Sequence, residues 1–405
     1  MRVAFVLGTT SGGTGRHVRM LAEGLTRRGH QVLVAGPRSV EEQFTYGETG
    51  ARFVEVAVAD RPRPVADVRA VLALRRVTRD ADVVHAHGLR AGALAALGTW
   101  GRRGSPVAAG TSRQRRSLVA LGASGRRRSL VVTLHNALTA GGLVGFVYGV
   151  LERIVARRAD RVLVVSPDLG ERMTRLGARD VRAALVPAPP LRPAKRTPRE
   201  VADELGAGER PVLLTVARLA QQKGLETLLD VAAGPWEEAP AELGVATGPR
   251  GEAPDDGKGR AGVGRPLFVV AGEGPLRGEL ERRIAAEGLP VMLLGNRDDV
   301  PDLLGAATAA VTATRWEGQP LSIREALMAG KPVIATAVGG IPEIVGDAGI
   351  LVPYGDVPAL RAAVRMLLEE PGTAERLAAA AVRRGQEMPD GDEAVESVLH
   401  VYEVP

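Results

Sequence analysis

Residues 1–28 read MRVAFVLGTTSGGTGRHVRMLAEGLTRR, and this stretch decides the fold class. An uninterrupted apolar run from Val3 to Leu7 leads into a turn rich in glycine and threonine, and a helical pattern follows from about Arg16 to Arg28. Uninterrupted apolar runs are typical of strands that are covered on both faces of a parallel sheet. The stretch therefore predicts the first strand, turn and helix of an α/β domain.

The turn indicates an anion site. Gly12 and Gly13 allow the backbone to approach a ligand closely, and the N-terminus of the following helix favours negative charge. The spacing is not the G-x-G-x-x-G of dinucleotide-binding folds, and no P-loop G-K-[ST] occurs. A dehydrogenase is therefore disfavoured.

Short apolar runs alternate with helical patterns through all 405 residues, which suits two α/β domains. The predicted strands are Val3–Leu7, Gln31–Ala35, Arg52–Val56, Val83–His85, Leu130–Leu134, Arg161–Val165, Ala184–Val186, Val212–Val216, Leu267–Ala271, Val291–Leu294, Ala309–Thr312, Pro332–Ala335 and Gly349–Val352. Five prolines between Pro187 and Pro198 separate the two series and predict a linker. Two insertions are expected, a basic one at about 101–129 and a disordered one at about 235–266.

Composition excludes several classes of protein. The chain has no cysteine, so disulfides, thiolate zinc sites and a cysteine nucleophile are excluded. The N-terminus has no signal-peptide pattern and no apolar stretch approaches the ~20 residues that span a bilayer, so we expect a cytoplasmic protein. Residues 1–195 hold 32 basic and 14 acidic side chains, which makes an anionic membrane surface a candidate partner. Arginine excess of this kind also occurs without any partner, and no nucleic-acid recognition motif appears.

Histidines lie at two predicted strand ends in the first half. His135 follows Leu134, at the sheet edge where open α/β sheets bind ligands, although a capping role would suit it equally. His85 and His87 have no third ligand in view and make a poor zinc site, so we expect them to be structural. The D-x-D motif Asp390-Gly-Asp392 lies in a break near the C-terminus and is interpreted as a turn, so no metal is expected.

The second half carries two charged loops. Arg218 and Lys223 stand between a predicted strand and a helix, where two cations suit a diphosphate. Glu317 lies in a loop, Glu325 lies in the helix that follows Pro320, and the N-terminal amides of that helix suit phosphate oxygens. A solvated basic turn and two unrelated glutamates remain the alternatives.

Four motifs occur in a fixed order: Arg218 to Lys223-Gly224, Gly272-Glu-Gly-Pro275, Glu317 to Glu325, and Val338-Gly-Gly-Ile-Pro-Glu343. Together they resemble the GT-B retaining glycosyltransferases of the family 4 type, over nearly the whole chain. The resemblance implies two Rossmann-like α/β domains facing each other across a cleft, at residues 1–187 and 199–388. A C-terminal helix at about 392–403 would pack back on the first domain.

The resemblance also implies roles for single residues. Arg218 and Lys223 would bind the donor diphosphate, Glu325 the ribose and Glu317 the transferred hexose, while His135 would lie beside the sugar at the reacting centre. Further donor contacts are implied for a set of loop residues: Gly12, Gly13, Gly272, Gly274, Asn296, Arg297, Gly318, Gln319, Pro320 and Leu321. The chain departs from the family at Gly318-Gln319-Pro320, where phenylalanine and glycine are frequent, and at Val186–Pro190, which lacks an Asn-Gly pair.

The expected function is hexose transfer from a GDP- or UDP-linked sugar, without metal or cofactor, to an unidentified acceptor for which a lipid or cell-envelope precursor is a candidate. Arg218 and Lys223 would stabilise the leaving diphosphate in place of a metal. The alternatives are a nucleotide-sugar epimerase on the same fold and a non-catalytic nucleotide-sugar-binding or scaffold protein. The expected location is the cytoplasm, with the inner face of the cell membrane as the candidate site of peripheral attachment.

Overall fold

A computed structural model describes residues 1–10, 12–59, 63–99, 128–137, 142–236 and 265–403. The chain divides into two compact units, one made of residues 1–189 with 389–405 and the other of residues 190–388. The two predicted insertions lie almost entirely outside the described residues. In the described ranges, no helix combines the length and apolar character that crossing a membrane requires.

The first unit contains a parallel sheet of seven described strands with helices between them. The strands are β1 (Arg2–Leu7), β2 (Gln31–Gly36), β3 (Arg52–Glu55), β4 (Val83–His87), β5 (Ser129–Leu134), β6 (Arg161–Val164) and β7 (Val181–Ala183). The helices are α1 (Gly13–Arg27), α2 (Arg38–Phe44), α3 (Pro64–Val77), α4 (Leu89–Gly98), α5 (Gly142–Arg158) and α6 (Pro167–Arg175).

The strand order in this sheet is β3-β2-β1-β4-β5-β6-β7. The chain builds outward from β1 in one direction and then returns to build outward from β4 in the other. Phe5 of β1 pairs with His85 of β4, and both are fully buried at the centre of the sheet. The carboxyl ends of β1 and β4 therefore form the switch point at which open sheets of this type bind ligands.

The second unit contains a parallel sheet of six described strands. The strands are β8 (Val212–Val216), β9 (Leu267–Ala271), β10 (Val291–Gly295), β11 (Ala309–Thr312), β12 (Val333–Thr336) and β13 (Gly349–Val352). The helices are α7 (Pro198–Glu204), α8 (Leu225–Ala232), α9 (Arg277–Glu287), α10 (Val300–Ala306), α11 (Leu321–Met328), α12 (Ile341–Val345), α13 (Val357–Glu369) and α14 (Thr373–Gln386).

The order here is β10-β9-β8-β11-β12-β13, so the switch point lies between β8 and β11. Alternate residues along each strand face opposite sides of the sheet and enter two separate apolar cores. Leu214 of β8 belongs to one core and Leu213 to the other. Burial on both faces explains why these strands are uninterrupted apolar runs in the sequence.

The C-terminal helix, α15 (Gly391–Glu403), packs against α1 of the first unit. Gly24 of α1 permits this approach, because a β-carbon there would lie 2.4 Å from Cγ2 of Val395. Arg28 of α1 donates to Asp392 at 3.1 Å. The contact fastens the last described residues of the chain to the first unit.

Apart from shifts of one or two residues at the ends of several strands, three details differ from the sequence predictions. The last strand of the first sheet is Val181–Ala183, three residues earlier than the predicted Ala184–Val186, so that prediction is wrong. Helix α1 begins at Gly13, three residues before the predicted start. Asp390 is a helix start instead of a plain turn: its carboxylate accepts from the Glu393 amide, and its own amide donates to Glu393.

Candidate active site

The glycine-rich turn of the first unit connects β1 to α1. Gly12 has φ of +106°, a backbone conformation that side chains disfavour, and a β-carbon there would meet no atom within 4 Å. Helix α1 has no acidic residue in its first turn and no side-chain cap from Gly12. Gly13 is its first residue, so its first amide groups are suited to an anion.

His135 follows β5 and contacts His87, the last residue of β4. His135 Nε2 lies 3.1 Å from His87 Nδ1, and the two rings stack with centroids 5.3 Å apart. One of these nitrogens must donate and the other accept, so each ring fixes the tautomer of the other. This contact was not predicted, because His87 was expected to be structural and stands 48 residues from His135 in the sequence.

His85 and His17 complete the cluster around these rings. His85 is fully buried and bonds to Tyr402 Oη at 2.6 Å and to Thr133 Oγ1 at 2.7 Å, a structural arrangement. The His17 ring lies 5.9 Å from that of His135. Burial lowers the pKa of His135 to about 4 and that of His85 to about 3, so both are neutral at pH 7. Within the described ranges, no group of three or more His, Asp or Glu side chains could hold a metal ion.

A pocket of about 420 Å³ opens above this cluster, within the size range of small-molecule sites. Its two charged lining groups are neutralised: Arg90 donates to Asp67 at 2.7 Å, and buried Glu152 accepts two bonds from Arg172 at 2.8 and 2.7 Å. The remaining polar lining comes mainly from hydroxyl, amide and imidazole groups: Thr9, Thr10, Thr14, His87, His135, Asn136 and Tyr148. The pocket therefore suits an uncharged, hydroxylated group.

In the second unit, Arg218 and Lys223 lie on the loop that follows β8. Arg218 is exposed and has no carboxylate partner in the described part of the chain. Lys223 ends a 3-10 turn (Gln221–Lys223) and forms an ion pair with Glu317, although 94 residues separate them in the sequence. The fold thus brings a residue that is predicted to bind the diphosphate into contact with the residue that is predicted to bind the hexose.

Gly272 and Gly274 support the Arg218 loop from β9. A β-carbon at Gly272 would lie 2.0 Å from the carbonyl oxygen of Ala217, and one at Gly274 would lie 2.3 Å from that of Leu219. The Leu219 amide donates to the Glu273 carbonyl at 3.0 Å. Only glycine permits these close approaches, so both glycines fix the backbone on either side of Arg218.

Asn296 and Arg297 follow β10. Asn296 is exposed, whereas Arg297 donates to Asp299 at 2.7 and 2.6 Å and to Glu204 at 3.0 Å. These carboxylates raise the pKa of Arg297 above its ordinary range. The structure therefore places Arg297 in an ion cluster beside the start of the second unit.

The loop from β11 to α11 carries the remaining predicted residues. Thr314 and Trp316 anchor it to Gln222, whose side-chain amide donates to the Trp316 carbonyl at 2.9 Å. Gly340 donates its amide to the Glu317 carbonyl at 3.0 Å. Glu317 is half-buried in this loop.

Helix α11 begins directly after this loop. Pro320 precedes it as the N-cap residue, and Leu321 is the first residue of the helix. The first turn holds no acidic residue and Pro320 supplies no side-chain cap, which leaves the amides after Gly318 and Gln319 suited to an anion. Glu325 is half-buried one turn into the helix.

Comparison with known proteins gives the family. Residues 12–189 match the glycosyl transferase 4-like domain, and residues 210–370 match the glycosyl transferases group 1 domain, which together account for most of the chain. Alpha-D-kanosaminyltransferase of Streptomyces kanamyceticus is 30% identical over 240 residues, 56% of this chain and 56% of that enzyme. 2-Deoxystreptamine N-acetyl-D-glucosaminyltransferase of Streptomyces fradiae is 30% identical over 269 residues, 62% of this chain and 57% of that enzyme. The chain spans little more than half the length of these curated relatives.

Among solved structures, Anabaena Alr3699/HepE in complexes with UDP and with UDP-glucose has the same fold, with TM-scores of 0.72 and 0.71. The identity is 18%, and the match covers 99% of this chain and 99% and 100% of those chains. The predicted fold class is confirmed: the chain consists of two Rossmann-like domains of the GT-B type.

Proposed function

The chain belongs to the glycosyl transferases of group 1 with a glycosyl transferase 4-like first domain, and we propose that it transfers a hexose from a nucleoside diphosphate sugar to an acceptor. The observation that carries the proposal is the grouping at the switch point of the second sheet. There Arg218 follows β8, and the ion pair of Lys223 with Glu317 joins the loop after β8 to the loop between β11 and α11. A diphosphate needs such cations and amide donors, and a sugar needs an adjacent carboxylate.

Each residue has a proposed role. Arg218 and Lys223 bind the diphosphate and offset the charge that develops as it leaves. Glu317 accepts hydrogen bonds from the hexose hydroxyls, and Glu325 from the ribose. In the first unit, neutral His135 contacts the sugar at the reacting centre. The supporting contacts are proposed for loop residues on both units: Gly12, Gly13, Gly272, Gly274, Asn296, Arg297, Gly318, Gln319, Pro320 and Leu321.

The reaction is proposed to retain the anomeric configuration and to need no metal. The cations of the second unit do the work that a metal would do. The carboxylate that lines the first-unit pocket, Glu152, is held by two bonds from Arg172, so we assign no covalent nucleophile there. The acceptor then attacks from the face that the diphosphate leaves. Proton NMR of the first product formed reads the anomeric configuration directly, and inversion would refute this mechanism.

The donor is proposed to be UDP- or GDP-linked, and the UDP alternative is supported by the structurally similar Alr3699/HepE, which is described with UDP-glucose. For the acceptor, the pocket above His135 and His87 is the proposed site. Its hydroxyl and amide lining suits the hydroxyl groups of an acceptor head. The candidate classes are an aminocyclitol, after the 2-deoxystreptamine in the name of the Streptomyces fradiae relative, and a lipid-linked envelope precursor. Transfer assays with both acceptor classes separate these alternatives.

We also propose peripheral attachment to the inner face of the cell membrane, with the enzyme in the cytoplasm. Helix α3 supports this, because its exposed face carries Val65, Val68 and Leu72, which are 68%, 60% and 53% exposed. The exposed Arg69 and Arg76 lie on the same helix. Apolar and arginine side chains on one face suit a helix that lies in an anionic membrane surface.

Sedimentation with phosphatidylglycerol-containing vesicles tests the attachment. The wild-type protein should bind them and should not bind vesicles of phosphatidylcholine alone, while Leu72→Glu should reduce binding. Equal sedimentation of both proteins would refute a docking role for α3. Val382→Glu on α14, another exposed apolar residue, is the matched control.

A thermal-shift screen of UDP- and GDP-sugars tests the proposed reaction, since a ligand that binds the folded state alone raises the melting temperature. The stabilising donor is then assayed for release of its nucleoside diphosphate. Lys223→Ala and Glu325→Ala should keep the fold and lose turnover. Stabilisation without turnover by the wild-type protein, across both acceptor classes, would favour a non-catalytic binding protein.

A further inference from the structure

Arg324, the fourth residue of α11, is a buried cation. Its side chain is 6% exposed, and its neighbours on the helix, Ile323, Ala326 and Leu327, are buried apolar residues. The guanidinium has one strong acceptor: Nη2 donates to Gln319 Oε1 at 3.0 Å. Nη1 lies 3.7 Å from the Met388 sulfur, and Nε has no acceptor.

No carboxylate in the described part of the chain pairs with Arg324. Burial lowers the pKa of Arg324 to about 10, and the neighbouring cation Arg384 acts in the same direction. The guanidinium therefore remains charged at pH 7, inside a largely apolar setting. Burial of an unpaired charge opposes folding, and apolar residues of similar volume often replace buried charges without loss of stability.

Arg324 thus stands where leucine or methionine would be expected for stability. Its single strong contact leads to Gln319, in the loop that precedes α11. Because Gln319 Oε1 accepts this hydrogen bond, its side-chain amide is held in one orientation. The cation also adds positive potential to the N-terminus of α11, which has no acidic residue in its first turn. Both effects favour an anion at the loop.

We propose that Arg324 is a positioning residue of the donor site, which holds Gln319 and strengthens the binding of the diphosphate at the N-terminus of α11. This inference rests on the proposed function, because it assumes that the loop binds a nucleoside diphosphate. It adds a third cation to Arg218 and Lys223, one that acts from within the core and is therefore weakly screened by salt. It also gives a reason for a buried charge that has no carboxylate partner among the described residues.

The test compares Arg324→Met with the wild-type protein, using UDP and GDP as ligands in calorimetry. Arg324→Met should keep or raise the melting temperature, because it removes an unpaired buried charge. Its affinity for the nucleoside diphosphate should fall by about tenfold or more, the effect of losing roughly 1.4 kcal/mol. In turnover assays the donor KM should rise more than kcat falls. Arg324→Lys, which keeps the charge, should recover part of the affinity.

Arg384→Met is the matched control, because it removes a neighbouring guanidinium that bonds to the Ile344 carbonyl. It should lower the melting temperature and leave UDP and GDP binding unchanged. A strongly destabilised Arg324→Met protein would show a structural role and overturn the proposal, as would unchanged affinity in a stable one. If the wild-type protein binds neither nucleotide, the proposed function itself fails.

Discussion

Gly339 fixes the position of Glu317, and its replacement by alanine makes a quantitative prediction. Gly339 has φ of +57°, and a β-carbon there would lie 1.9 Å from the Glu317 carbonyl oxygen and 3.2 Å from Trp316 Nε1. Ordinary contact begins at 3.4 Å, so the Glu317 loop would have to retreat by about 1.5 Å. A displacement of roughly 1 Å can reduce catalysis by about 100-fold.

We therefore expect Gly339→Ala to lower kcat/KM for the donor by about 100-fold, or about 2.7 kcal/mol of transition-state stabilisation. Release of the nucleoside diphosphate measures this. Gly206→Ala is the control, because Gly206 has nearly the same backbone angle, +58°, and a β-carbon there would meet nothing within 4 Å. It should cost about 1 kcal/mol of stability and no activity. Gly339→Ala activity within threefold of wild type, in a folded protein, would refute the reasoning.

Three further predictions concern the ion pair and the buried histidine. Lys223→Met and Glu317→Gln should each reduce kcat/KM by roughly 100-fold or more, measured by donor turnover. Wild-type activity in either variant would show that this ion pair is not part of the active site. Tyr402→Phe should lower the free energy of unfolding by about 1–3 kcal/mol in urea, because it leaves His85 Nδ1 buried without its partner. Stability should also fall as pH decreases from about 6.5 towards 3, and His85 contributes up to about 1.4 kcal/mol per pH unit to this slope, because it takes up a proton only when unfolded. His85→Asn should remove this contribution and leave the part of the slope that is due to His135, whose pKa is also lowered, and an unchanged slope would contradict the prediction.

The fold was largely predictable because central parallel strands are apolar throughout. Val212–Val216 and Leu267–Ala271 were predicted with the bounds that the structure gives. The error fell on β7, an edge strand of three residues with Arg182 at its centre. Such a strand lacks the apolar run, and the apolar Ala-Leu-Val that follows it drew the prediction towards the linker. Edge strands carry less of the pattern because one side is unpaired.

The candidate site was predictable to the extent that its residues follow strand ends. Topology brings Arg218 after β8 and Glu317 after β11, two neighbouring strands at the switch point, so the sequence motifs and the sheet order agree. The ion pair of Lys223 with Glu317 could not be read from spacing, because nothing local links residues that far apart. The same applies to the contact of His87 with His135 across β4 and β5.

Arg324 and the two glycines that follow β9 show why the rest of the site could not be predicted from the sequence. Gly272 and Gly274 are predicted to border a nucleotide, and in the structure they also approach the carbonyls of Ala217 and Leu219, so they act on the position of the Arg218 backbone as well. Arg324 carries no distinguishing pattern in the sequence, and only the structure shows that it is buried without a carboxylate partner among the described residues. Each of these features depends on contacts with residues that lie far away in the sequence. A substitution at Gly272, Gly274 or Arg324 should therefore act on the donor through the neighbouring atoms that it displaces, whereas Lys223→Met and Glu317→Gln remove the groups proposed to bind the donor directly.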